Sequence, residues 1–254
     1  MTLIAPEDGC VVITGAGSGL GRALAQEMCG AGFAVAGLGR RSDALAETAT
    51  RCGAGFLPVT ADVSDADQVR AAMAGIRDRL GPVAILVNNA AVYPHRDLLD
   101  ETAESFMHTV AVNLGGAMAC ARAALDDMTA RGRGRILTVS SFADVAPLPG
   151  AAAYSVSKGA ARVLTRALVA DLSDRFPDIV ISDWSPGMLH TGMGLPEGLP
   201  PEQAARWGAR LARMGDRSLS GTMFERDTEL LPPRGLKARL RDALMLRRPQ
   251  PRRL

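Results

Sequence analysis

Six short apolar runs, each separated from the next by a stretch of helical period, leave this chain few folds to choose from. Cys10-Val-Val-Ile-Thr14, Phe33-Ala-Val-Ala-Gly-Leu38, Phe56-Leu-Pro-Val59, Val83-Ala-Ile-Leu-Val87, Arg135-Ile-Leu-Thr-Val139 and Ile179-Val-Ile181 are mostly continuous rather than alternating, as strands buried on both faces are. Between them Leu20, Ala23, Leu24 and Met28 mark one helical face, and Ser42 to Cys52 reads as a helix with Ser42 as its N-cap. Ser64 to Leu80 is helical, with Ser64 and Asp67 at capping-box spacing. A long helix fills about 101–130, and Val156, Ala160, Val163, Ala167 and Leu168 mark another. This alternation predicts an α/β fold: a doubly wound parallel sheet flanked by helices, with right-handed crossovers. No repeat or compositional break divides the 254 residues, so one domain is expected.

After about residue 190 the rhythm weakens. Residues 192–201 hold three glycines and three prolines and read as a loop, Glu202 to Met214 as a short helix, and Leu219 to Phe224 as a last strand. From Arg239 onward come six arginines, one acid and two prolines. They are expected to form a frayed, solvated end, with an electrostatic partner contact as the alternative.

Several function classes drop out on charge and composition. A formal charge of +2 supplies no basic field for nucleic acid, and no apolar run reaches the ~18 residues of a bilayer span. The first residues lack the basic-then-apolar pattern of a secretory signal. Cys10, Cys29, Cys52 and Cys120 lack CxxC spacing and read as reduced thiols, so a cytoplasmic location is expected. His95, His108 and His190 have no ligand spacing with Cys, Asp or Glu, so no metal is expected. Trp184 and Trp207 read as packing residues.

Thr14-Gly15-Ala16-Gly17-Ser18-Gly19-Leu20-Gly21 follows the first strand and opens its helix. Glycines there let the backbone approach a pyrophosphate, whose charge meets the helix N-terminus. The run predicts dinucleotide binding; a methyltransferase can place a glycine-rich turn here too. No P-loop lysine follows, which argues against phosphoryl transfer. The second strand ends in Arg40-Arg41 rather than in an acid. Paired guanidiniums suit a 2′-phosphate, so NADP(H) is expected, with NAD(H) as the alternative.

The sharpest signal is Tyr154-Ser-Val-Ser-Lys158. Four helical steps bring both side chains to nearly one face, and the apolar Val156, Val163 and Ala167 are expected opposite. A nearby ammonium favours phenolate and is expected to draw the phenol toward neutral pH, as a general acid/base requires. The chain holds only two tyrosines and two lysines, so this pairing arises by chance about 0.016 times. Ser140-Ser141 and Asn88-Asn89-Ala90 end strands at the edge where open α/β sheets place ligands. Asn113, a poor helix former inside the long helix, is a candidate for a break that holds a water.

Taken together, these motifs resemble the short-chain dehydrogenase/reductase family over residues of about 8–225. Thr14 to Gly21 fits its TGxxxGxG motif, Asp62-Val63 its adenine-side pair, and Asn88-Asn89-Ala90 all but the last residue of NNAG, where Ala91 replaces glycine. Asn113, Ser141, Tyr154 and Lys158 fit its catalytic tetrad, and Pro186-Gly187 with Thr191 its nicotinamide-covering segment. The resemblance implies a Rossmann-like NAD(P)-binding domain over residues 1–226, including a substrate loop at about 188–214, and an atypical arginine-rich tail over 227–254. It also implies a cofactor site of Gly15, Ser18, Gly19, Leu20, Gly21, Arg40, Arg41, Asp62, Val63, Asn89, Ala90, Tyr154, Lys158, Pro186, Gly187 and Thr191.

In that scheme Tyr154 donates and accepts the proton, Ser141 orients the substrate oxygen, Lys158 binds the nicotinamide ribose and lowers the tyrosine pKa, and Asn113 holds a relay water. Asp183-Trp184 stands where the family often has asparagine and smaller residues. Tyr93, Phe142 and Met188, with Ser141, are expected to line the substrate pocket. Arg96 is either solvated or an anchor for an acidic substrate. The expected reaction interconverts a ketone or aldehyde and an alcohol. A homodimer or homotetramer is expected, with no nucleic-acid or membrane partner. The alternative is a non-catalytic NADP(H)-binding regulatory or partner protein on the same fold.

Overall fold

The computed structural model describes residues 2–232 and 250–254. Eight strands form one sheet: β1 (Cys10–Thr14), β2 (Val35–Gly39), β3 (Phe56–Thr60), β4 (Val83–Asn88), β5 (Arg133–Val139), β6 (Asp178–Ser185), β7 (Met223–Glu225) and β8 (Thr228–Leu230). Their order is β3-β2-β1-β4-β5-β6-β7-β8. All neighbours run parallel except β7 and β8, which form an antiparallel hairpin. Pro58 sits in β3, an edge strand, where a missing N–H is tolerated.

The helices are α1 (Gly19–Gly30), α2 (Ser42–Cys52), α3 (Ala66–Leu80), α4 (Ala103–Val110), α5 (Gly116–Arg131), α6 (Ala152–Leu172) and α7 (Pro201–Arg213). Alternate side chains of the strands feed two cores. Val11, Ile13, Val87 and Leu137 pack toward Leu24, Met28 and Leu211 of α1 and α7. Cys10, Val12, Leu86 and Ile136 pack toward Met73, Ile76, Ala121 and Met128 of α3 and α5. Chain order reverses between β1 and β4, which opens a crevice at the strands' carboxyl ends. Trp184 is buried, with its indole N–H donating to the Arg226 carbonyl, and all four cysteines are free thiols.

Local details depart from the sequence expectations for identifiable reasons. Arg41, not Ser42, occupies the N-cap position of α2 and makes no side-chain cap bond. At α3 the cap is Asp65, whose Oδ1 accepts from Asp67 N and Gln68 N, because the Ser64 hydroxyl is bonded to Asp62. The helix expected over 101–130 is split by a π-helical turn, Ala111–Gly115, around Asn113. On α6 the expected apolar face is the outer one: Val156 and Val163 are 54% and 53% exposed. The stripe against the sheet carries Ala153, Ser157, Lys158, Ala161 and Thr165, small and polar residues that let the helix come close but carry no hydropathy signal.

The tail also differs from expectation where it is described. Arg252 grips the Glu229 carboxylate through Nε and Nη2, both at 2.7 Å, Arg253 bridges Thr228, and Leu254 packs on the core. Its other arginines, from Arg239 to Arg248, lie outside the described residues. No helix among the described residues is long and apolar enough to cross a membrane.

Candidate active site

The turn after β1 is shaped by its glycines. Gly15 has φ +68°, a region open to glycine at little cost, and a Cβ on Gly21 would lie 2.2 Å from the Gly15 carbonyl oxygen. Thr14 and Asn89 fasten this turn to the end of β4. The Thr14 hydroxyl accepts from Asn89 N at 3.0 Å and Ala90 N at 2.9 Å, while Asn89 Nδ2 donates to Thr14 O at 2.8 Å. The side chain of Asn89, expected at the cofactor, is thus engaged in holding the turn. Ser18 makes no cap bond at the start of α1, so the first-turn N–H groups of that helix face the crevice unpaired, a ready anion site.

Beside the turn lies a cavity of about 120 Å³ lined by Gly15, Gly39, Arg40, Asp62, Val63, Ala90 and Val92, among others. The Asp62 carboxylate accepts from Ser64 N at 2.9 Å and Ser64 Oγ at 2.7 Å. Its burial works to raise its pKa, but these bonds and the Arg40 charge outweigh that and hold it below the usual range. Arg40 Nη1 stands 3.9 Å from Asp62 Oδ2, and Arg40 and Arg41 are both exposed at the end of β2.

Across the crevice, β5 and α6 bring three of the four tetrad candidates together. Tyr154 is largely buried, and burial raises its pKa above the ordinary phenol value. The Ser141 hydroxyl nearby opposes the rise, and Tyr93 adds to it. Lys158 Nζ lies 5.7 Å from the Tyr154 ring centroid and donates to Val139 O at 2.8 Å. Contrary to expectation, Tyr154 thus stands above the ordinary phenol value rather than near neutral pH, because burial outweighs what opposes it. Burial in turn lowers Lys158 to about 8.

Asn113, the fourth, is buried in the π-helical turn with its amide fully engaged. Its Oδ1 accepts from Val92 N at 2.7 Å, and its Nδ2 donates to Val92 O and to Ser157 Oγ, both at 2.9 Å. The helix break exists, but its side chain holds a loop and a neighbouring helix. Ser157 is the residue that sequence reasoning passed over; its position three after Tyr154, on the same buried stripe, was the available signal.

The expected pocket residues are spread over three loops. Tyr93 stacks on Tyr154 with centroids 4.4 Å apart, and Phe142 opens the 3-10 turn after Ser141. The two loops carrying them are joined by Arg96 N donating to Gly150 O at 3.1 Å. Met188 is well exposed at the crevice margin, 63%. Thr191 does reach the glycine turn, its Cγ2 lying 3.2 Å from where a Gly19 Cβ would stand, and Pro186-Gly187 follows β6 with Gly187 at φ +84°. Arg96 is partly exposed, and its Nη1 binds Glu101 Oε1 at 2.8 Å.

The short chain dehydrogenase family matches residues 9–198. The chain is 34% identical to the 2-(R)-hydroxypropyl-CoM dehydrogenase of Xanthobacter autotrophicus, covering 72% of this chain and 75% of that one. It is 32% identical to galactitol 2-dehydrogenase (L-tagatose-forming) of Cereibacter sphaeroides, covering 81% of each. It is 33% identical to carbonyl reductase (NADPH) 2 of Sus scrofa, covering 77% and 78%. A solved short chain dehydrogenase/reductase family protein superposes with a TM-score of 0.77 at 28% identity, over 89% of this chain and 97% of that one.

Proposed function

The chain belongs to the short-chain dehydrogenase/reductase family, and on that premise we propose that it is an NADP(H)-dependent oxidoreductase interconverting a ketone or aldehyde and an alcohol, with Tyr154 as general acid/base. One observation carries the reading: Tyr154, Ser141 and Lys158 gather at the carboxyl end of β5, the same edge of the sheet at which the glycine turn follows β1. The relatives named for alcohol oxidation and carbonyl reduction point the same way.

A nicotinamide dinucleotide fits the residues present. The cavity beside Gly15 has a wall that side chains would close, since a Cβ there would meet Asn89 Nδ2 at 2.9 Å and Ala90 Cα at 3.0 Å. Gly15, Ser18, Gly19, Leu20 and Gly21 would hold the pyrophosphate, Asp62 and Val63 the adenine side, and Asn89, Ala90, Pro186, Gly187 and Thr191 the nicotinamide side. Arg40 and Arg41 would pair with a 2′-phosphate; they are exposed and stand where an acid would select NAD(H). Bound, the nucleotide supplies the hydride chemistry.

The chain supplies position and protons. Ser141 Oγ donates to the substrate oxygen, Tyr154 Oη gives that oxygen its proton in reduction and removes it in oxidation, and Lys158 keeps a positive charge beside the phenol. With its pKa at about 8, Lys158 is still mostly an ammonium at neutral pH. Asn113 fixes the Val92 backbone and Ser157, and so the loop that carries Tyr93 over Tyr154.

Tyr93, Phe142 and Met188 would make the substrate pocket moderately apolar, with residues 188–214 as its outer segment. The exposed Met118, Val156 and Val163 on the outer faces of α5 and α6 support self-association. Residues 1–226 would form the cofactor and substrate unit, with 227–254 as a separate tail whose described residues, 227–232 and 250–254, lie at the sheet's edge. A screen of NADPH and NADH consumption over ketones and aldehydes of graded size and charge tests the reading. Turnover faster with NADPH is expected. Tight NADPH binding with no turnover across the panel would replace it with a non-catalytic nucleotide-binding role.

A further inference from the structure

One buried carboxylate has no part in the chemistry above. Asp183, on β6, is 5% exposed, and its Oδ1 accepts from the Thr165 hydroxyl at 2.7 Å. An ionised carboxylate is costly to bury on a neutral donor unless a cation stands near it. The strand register indicates which cation. Asp183 pairs with Thr138 of β5, so its side chain shares the sheet face covered by α6. The next residue of β5, Val139, gives its carbonyl to Lys158 Nζ. Lys158 and Thr165 are seven residues apart, two turns along the same buried stripe of α6. Lys158, also 5% exposed, thus donates to a neutral carbonyl while Asp183 accepts from a neutral hydroxyl.

The other charges near Asp183 are already engaged or lie on exposed ground. From α6 it is faced by Arg162 and Arg166 besides Lys158. Arg162 is bound to Asp144 at 2.5 Å, and Arg166 is exposed. Arg135 of β5 points to the opposite sheet face, where the Ile136 and Val180 carbonyls and the Ser182 hydroxyl accept from it.

We infer that Asp183, tethered by Thr165, is a positioning residue: its carboxylate is the counter-charge that keeps Lys158 an ammonium beside Tyr154. The inference rests on reading Tyr154 and Lys158 as the proton-transfer pair. Burial raises Asp183 to about 7, opposed by the Thr165 bond, by Arg162 and Arg166 and then by Lys158. Its charge therefore develops from about pH 7 upward, just below the range in which Lys158, lowered by burial to about 8 with Asp183 opposing, gives up its proton. Such a carboxylate sets the pH range over which the pair works without touching substrate.

The chain's two lysines make the test direct. In a Lys237→Arg background, Lys158 is the only lysine, and its titration can be followed by ¹³Cε-lysine NMR with neither cofactor nor substrate present. Asp183→Asn is expected to move the Lys158 midpoint down by about one pH unit. Thr165→Val, which keeps the carboxylate but removes its donor, is expected to move it the same way by less. The alkaline limb of kcat/KM for carbonyl reduction should follow, since removing a negative charge eases the pair's first deprotonation whichever group loses the proton. A merely structural Asp183 would not shift the lysine resonance. An unmoved midpoint in both folded variants overturns the inference. A moved midpoint in a chain that reduces no carbonyl upholds the charge pair and overturns the functional reading instead.

Discussion

On the β1 side of the crevice the candidate site is built from backbone: a glycine turn, the start of α1 without a side-chain cap, and the Thr14–Asn89 clasp that holds them. On the β5–β6 side it uses side chains, and each of those is bound or buried by a different element. Tyr154 meets Ser141 and Tyr93, Lys158 meets Val139, and Asn113 meets Val92 and Ser157. The difference teaches that the first wall is a shape, fixed by short-range sterics, whereas the second is an electrostatic environment assembled from distant parts of the chain. Damage to the first should therefore appear in binding, and damage to the second in turnover.

The largest expected effect lies on the side-chain wall. Tyr154→Phe removes the proposed proton donor while leaving the ring, so turnover should fall about 10²–10⁴-fold with the dissociation constant of NADPH nearly unchanged. A Phe variant that still turns over would erase the contrast between the walls. On the backbone wall, Gly21→Ala forces a Cβ against the Gly15 carbonyl. Nucleotide titration should then show binding weakened by about 100-fold, and thermal denaturation a loss of about 1–3 kcal/mol.

A smaller effect separates the two nucleotides. Arg40→Ala should weaken NADPH by about tenfold, equivalent to about 1.4 kcal/mol, and leave NADH alone; equal losses for both would remove the 2′-phosphate role. The smallest effect lies away from either wall. Arg252→Ala should cost about 1 kcal/mol of stability at neutral pH. Arg252 holds the Glu229 pKa below its ordinary value, so this contribution exists above the unfolded carboxyl pKa and fades as pH drops through the folded one. Denaturant melts at neutral and acid pH should show the variant and parent converging at the acid end.

Much of this was readable along the chain. The buried strands, the order of elements, the glycine turn and the Tyr154–Lys158 spacing are local patterns, and local periodicity sets them. The hidden parts are those where a partner sits far off in sequence. Arg252 looked frayed until β8 supplied Glu229. Val156 and Val163 looked like the buried face of α6, but polar residues take that face, because their partners on β5 and β6 come from other segments.

The sequence by itself determined a parallel α/β sheet with a dinucleotide turn after its first strand and a phenol one helical turn from an ammonium, because each depends on residues close together in the chain. Only the tertiary structure decided how those charged groups are solvated: that Lys158 is buried against a strand carbonyl, that Tyr154 is held above the ordinary phenol pKa, and that Asp183 shares their side of the sheet. Burial and Coulomb fields depend on what packs nearby in space, which residue spacing does not encode.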